Sequence, residues 1–224
     1  LVTPLVTIFA GVGLSMLIAA PIGAAASQVG TLIMWATEQA PLVMGVLVSV
    51  IVGVALTLPI SSAAICAALG LTGLAGGAAV AGCCAQMVGF AVMSYRENGV
   101  GGLVSQGLGT SMLQMGNIIK NPRIWIAPTL ASAITGPLAT CLFHFEMNGA
   151  AVSSGMGTCG LVGQIGVYTG WVSDIAAGTK AAITPMDWAA MVLLCFVLPA
   201  VLSVVFCEVE RKLGWIKEGD LKLT

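Results

Sequence analysis

Charge is what this sequence has least of. Only 8% of its 224 residues are charged, whereas a soluble globular domain carries about 25%. Residues 1–37 hold no charged side chain, and neither do residues 39–95. A soluble fold would have to surface part of such a length with lysine or glutamate. The net charge of −1 leaves no basic footprint for nucleic acid. Histidine occurs once, and no Cys-x-x-Cys or Cys/His ligand spacing is present, so no metal site is expected. The seven cysteines are an odd number in apolar surroundings, which argues for small packing residues rather than a disulfide framework. No nucleophile, base and oxyanion set can be assembled, so neither an enzyme in its own right nor a bound cofactor is expected. No charged region precedes the first apolar run, and no signal peptide is read.

Apolar residues fill the space that charge leaves. They make up 58% of the chain, and the mean hydropathy is +1.04. The chain therefore reads as an all-α integral membrane protein. Apolar runs of spanning character cover 4–20, 42–58, 73–93, 124–143 and 188–207, near the roughly 20 residues that a bilayer requires. Residues 21–40 are smaller and more polar, fitting a second span or a half-span. Residues 100–117 are too polar to face lipid and too apolar for a solvent loop, and are expected to be buried or re-entrant. The span-bearing domain is 1–207. Residues 208–224 form a charged amphipathic tail whose Arg211, Lys212, Lys217 and Lys222 place it in the cytoplasm by the positive-inside rule. Trp35, Trp125, Trp171, Trp188 and Trp215 lie near span ends and fit an aromatic belt.

The chain is organised around Gly136–Gly170. This stretch begins with a helix breaker, carries the single histidine, His144, with Glu146 two residues on, and spaces glycines at 155, 157, 160, 163, 166 and 170. In lipid, irregular backbone persists only where protein or a water-filled cavity covers it. Ala20-Pro21-Ile22-Gly23, Leu58-Pro59-Ile60-Ser61 and Gly136-Pro137-Leu138-Ala139 each end an apolar run in the same way. Repeated breaks of this kind point to discontinuous helices around a midplane site. Two Gly-x-Gly-Thr tetrads, Gly107–Thr110 and Gly155–Thr158, mark a candidate internal repeat.

His144 and Glu146 have two readings: a solvated pair at a span end, or cavity-lining groups beyond the break at Pro137. At i and i+2 they share no helix face and converge only on an extended segment. Gln106, Gln114, Asn117, Asn148 and Gln164 both donate and accept hydrogen bonds. They suit a neutral polyol, or equally hydrogen bonds between helices. Thr158 can contact solute or satisfy broken backbone. Glu38, Arg96, Glu97, Asp174, Lys180 and Asp187 read as loop or interfacial residues.

Ile134–Thr140 (ITGPLAT), Gly155–Gly166 (GMGTCGLVGQIG), Pro59–Ala79 and Gln106–Asn117 together resemble the membrane-embedded IIC component of the bacterial phosphoenolpyruvate-dependent phosphotransferase system. The closer resemblance is to its divergent IIC-like branch, which includes PfoR-type regulator proteins. That resemblance implies a multi-pass homodimer in the bacterial cell membrane. It also implies re-entrant hairpins around a polar cavity, a sugar or sugar derivative as solute, and separate IIA and IIB phosphoryl carriers for any phosphorylation. Family sugar sites use a glutamate and a histidine, for which Glu146 and His144 are the nearest residues here. The function expected is permease-like, translocating or binding a neutral polar solute. The alternative is a non-transporting sensor or regulator that retains the fold.

Overall fold

The computed structural model describes the backbone of residues 2–223 and the side chains of Ile8, residues 11–13 and residues 23–223. The described chain is helical, with one isolated antiparallel bridge, between Gly73 and Met147. Its helices are α1 (Val2–Gln39), α2 (Pro41–Thr57), α3 (Ser62–Leu69), α4 (Gly73–Met93), α5 (Tyr95–Val104), α6 (Met115–Lys120), α7 (Ile126–Pro137), α8 (Ala151–Ser154), α9 (Val162–Ala176), α10 (Pro185–Val192) and α11 (Leu198–Lys212).

Among the described residues, three helical runs are long and apolar enough to cross a bilayer: Gly73–Met93, Pro122–Leu142 and Pro185–Lys212. Helix α2, at 17 residues, is apolar but shorter. Helix α4 is the centre of the bundle, packed by α2, α7 and α11. Its small residues let neighbouring backbones approach closely, as bilayer packing favours. Ser49 donates to the Ser132 carbonyl at 2.8 Å, and Ser132 donates to the Gly82 carbonyl at 3.2 Å. These bonds join α2, α7 and α4 at one level. Thr57 meets Gln86 at 3.2 Å at the far end of α2, so α2 and α4 run parallel. Gln86 also donates to Thr129 at 3.3 Å and accepts from the Trp125 indole at 3.0 Å, so α7 runs the opposite way.

The three proline motifs do three different things. At Pro59 the helix does break: α2 stops at Thr57, and Ser61 caps α3 by accepting from the Ala64 amide at 3.2 Å. At Pro137 the run continues, loosened into a π-turn over Leu138–Leu142. The break expected at Pro21 is absent, because α1 runs through that position from Val2 to Gln39. The separate span or half-span expected over 21–40 is therefore the second part of one helix. Proline removes one backbone bond but does not by itself end a helix in lipid, where continuing the ladder satisfies every other group.

Two segments enter the bundle without crossing it. The first runs from Ser94 through α5, a π-turn at Ser105–Gly109 and a short 3-10 turn to α6. The second runs from Phe143 through α8 and Gly155–Thr158, and returns as α9. Their Gly-x-Gly-Thr tips touch: the Thr158 hydroxyl donates to the Gly107 carbonyl at 2.5 Å. That contact lies beside Met87 and Ala91, on the C-terminal side of the middle of α4. Gly157 holds φ +52°, and a Cβ there would lie 2.7 Å from that of Cys83, so the tip can rest on α4 only as glycine.

Candidate functional site

Beyond the π-turn after Pro137 the chain leaves helical geometry. His144 takes φ +43°, and Phe145–Asn148 extends along the first turn of α4. The Gly73 amide donates to the Met147 carbonyl and the Met147 amide donates to the Gly73 carbonyl, both at 3.0 Å. Gly77 admits this strand, because the Phe145 carbonyl occupies the place a Cβ would take. Side chains alternate across an extended segment. Phe145 and Met147 point into the core, while His144 and Glu146 face out.

What they face is a cavity of about 600 Å³ at the end of the bundle where α4 begins. Its walls include His144, Glu146 and Asn148 from the strand, Trp171 and Asp174 from α9, and Lys180, Thr184 and Asp187 from the connection into α10. Asn148 ties the wall together. Its amide donates to Glu146 at 3.1 Å and to Asp174 at 2.9 Å, and its carbonyl oxygen accepts from the Gly73 amide at 3.2 Å. Lys180 pairs with Asp187 at 2.7 Å, and Asp187 closes a capping box with Thr184 at the start of α10. The Lys180 ammonium also lies 5.5 Å above the Trp171 ring, and Trp171 meets Trp188 edge-on at 5.6 Å. Beneath the cavity, Phe145, Met147, Val167, Leu194 and Cys195 belong to one buried apolar cluster. The polar hollow therefore sits at the end of the bundle where α4 begins. Close backbone packing and the touching tips fill the middle.

The expected site residues fall into four places. His144, Glu146 and Asn148 are together in the cavity. Thr158 is spent on the contact between the tips. Gln164, on the first turn of α9, donates to Cys84 at 3.2 Å, and its buried carbonyl oxygen has no partner among the described residues.

Gln106, Gln114 and Asn117 are at the opposite end of the bundle, in one chain of amides. Gln106 donates to Ser94 at 2.8 Å, Gln114 donates to Gln106 at 2.9 Å, and Asn117 donates to Gln114 at 2.8 Å. The chain ends on the C-terminal segment, through the carbonyls of Leu221 and Lys222.

Sequence reading missed Asp174, Lys180 and Asp187 as wall residues, and Trp171 as anything but a belt residue. Trp171 is only 5% exposed. Thr184-Pro185-Met186-Asp187 was the available signal: a capping motif starting a helix at the cavity rim. Among the described residues, no three His, Cys, Asp or Glu side chains gather as a metal cluster.

The two ends also differ in charge. The tail end holds Arg96, Lys120, Arg123, Arg211, Lys212, Lys217 and Lys222, leaving only Lys180 at the cavity end.

In a comparison with known families, the model of the family described as "Phosphotransferase system, EIIC" matches residues 1–223. No curated protein and no solved structure matches the chain.

Proposed function

The chain belongs to the EIIC family of the phosphotransferase system, and from that premise we propose that it binds a neutral, hydroxyl-rich solute, a sugar or sugar derivative, in the cavity beside Trp171. The family supplies the coarse function, a multi-pass permease-like component of sugar uptake that works with IIA and IIB phosphoryl carriers. One observation carries the finer reading. The strand that leaves the last turn of the α7 run brings His144 and Glu146 into one polar hollow with Asp174, Lys180 and an aromatic wall.

In this reading His144 donates to solute hydroxyls, and the Glu146 and Asp174 carboxylates accept from them. Asn148 fixes the two carboxylates by donating to both. The apolar floor and the contact between Thr158 and Gly107 form the barrier that a permease cycle must open. The closed floor also supports the second reading, a sensor that binds solute without passing it on.

Seven of the eight lysines and arginines at the tail end favour that end as cytoplasmic. The cavity then opens to the outside of the cell membrane. The exposed apolar side chains of α1 and α2, among them Leu32, Leu42, Leu47 and Ile51, offer the surface for a homodimer within the bilayer.

Calorimetry with a panel of sugars tests the site. His144→Ala and Glu146→Gln should each abolish binding in purified protein. Unchanged binding in both would remove them from the site.

A further inference from the structure

The C-terminal segment lies in a groove that reads peptide backbone. Asn98 brackets it: the side-chain amide donates to the Leu221 carbonyl at 2.8 Å, and the side-chain carbonyl accepts from the Leu223 amide at 2.8 Å. Glu97 accepts from the Leu221 amide at 2.9 Å while its other oxygen pairs with Arg211 at 3.0 Å. Gln114 gives the Leu221 carbonyl a second donor at 2.9 Å, and Asn117 donates to the Lys222 carbonyl at 3.0 Å. None of these bonds involves a side chain of residues 221–223. Among the described residues after Lys212 two side chains are buried, Leu221 fully and Ile216 nearly so, and Asn121 adds bonds to the Trp215 carbonyl and the Asp220 carboxylate, both at 2.9 Å. Backbone hydrogen bonds give affinity and a pocket for a side chain gives specificity when a protein holds a peptide.

We propose that the groove formed by Glu97, Asn98, Gln114 and Asn117 is a peptide-binding site, and that residues 213–223 of this chain are its resident, displaceable ligand. The ligand class it takes is a short peptide that turns on itself, as residues 217–222 do here, and presents one buried aliphatic anchor flanked by backbone groups for the groove to bind. Two features make the tail a separable unit. It swings from the end of α11 at Gly214, which holds φ +72°, and it turns again at Gly219, which holds φ +96°. It buries two side chains, whereas nearly the whole of α4 is buried, so it belongs to the low-stability part of the molecule.

Occupancy of the groove bears on the rest of the fold. Gln114, which holds Leu221, also holds Gln106. Gln106 lies in the π-turn whose next residue, Gly107, accepts from Thr158. An empty groove leaves the Gln114 amide without the Leu221 carbonyl and loosens the tip that meets the other hairpin. This inference does not depend on which solute the cavity takes.

Native-state hydrogen exchange on the full chain in detergent micelles tests it. In the unaltered protein, the Leu221 and Leu223 amides should exchange through a local opening, at least about tenfold faster than the amides of α4. Leu221→Ala should speed exchange across 213–223 and across 105–115 by a similar factor, again about tenfold or more, and leave α4 and α9 unchanged. Two results would overturn the proposal. One is tail amides in the unaltered protein that exchange only with α4, which would make the tail a permanent part of the core. The other is an L221A protein whose tail exchanges faster while residues 105–115 do not.

Discussion

At the cavity end, Glu146 and Asp174 share a single amide donor, and each keeps an oxygen with no donor among the described residues. At the tail end, Gln106, Gln114 and Asn117 are polar in the same sense, yet their amides are taken by one another and by the tail backbone. Burial follows the same division. Gln106 and Gln114 are fully buried, whereas His144 and Glu146 are exposed to the hollow. A polar side chain in a membrane protein is available to a solute only if the fold has left its hydrogen bonds unspent, and residue type alone does not reveal which case holds.

Several substitutions would break or sharpen this contrast. Gly77→Leu has the largest expected effect, because the Phe145 carbonyl fills the space that a Cβ needs. The strand carrying His144 and Glu146 would be forced off α4, and purified protein should show no cooperative thermal transition. Arg211→Ala comes next. It leaves the Glu97 carboxylate, 6% exposed, without its cation, and removing one member of a buried pair costs about 3–5 kcal/mol. A thermal shift should report it. Gln114→Ala strips donors from a buried network and should cost about 1–3 kcal/mol while leaving sugar affinity unchanged. Glu146→Gln reverses that pattern, with binding lost in calorimetry and the melting temperature unmoved. Arg96→Ala is the smallest: its pair with Glu208 is 68% and 40% exposed, and such pairs contribute about 0–1 kcal/mol.

The membrane class, the spans at 73–93 and 188–207 and the re-entrant character of 100–117 were legible because they depend on composition and length. The fate of each proline was not. Pro59 ends a helix because Ser61 caps the next one, while Pro137 is absorbed by a π-turn. His144 and Glu146 were legible as a pair that converges only on an extended segment, and the segment is extended. The separation of Gln114 and Asn117 from that pair was hidden, because it depends on a tail folded back about a hundred residues later in sequence. Asp174 and Lys180 were hidden because they follow the glycine-rich stretch and look like ordinary loop residues, whereas α9 returns them to the rim of the hollow.

The most direct measurement is an experimental structure determined with a bound sugar. The account predicts density for the sugar between Glu146 and Asp174, against Trp171, with the tail still held by Asn98 and Gln114. Sugar density among Gln106, Gln114 and Asn117, with the tail displaced and the hollow beside Trp171 empty, would contradict it.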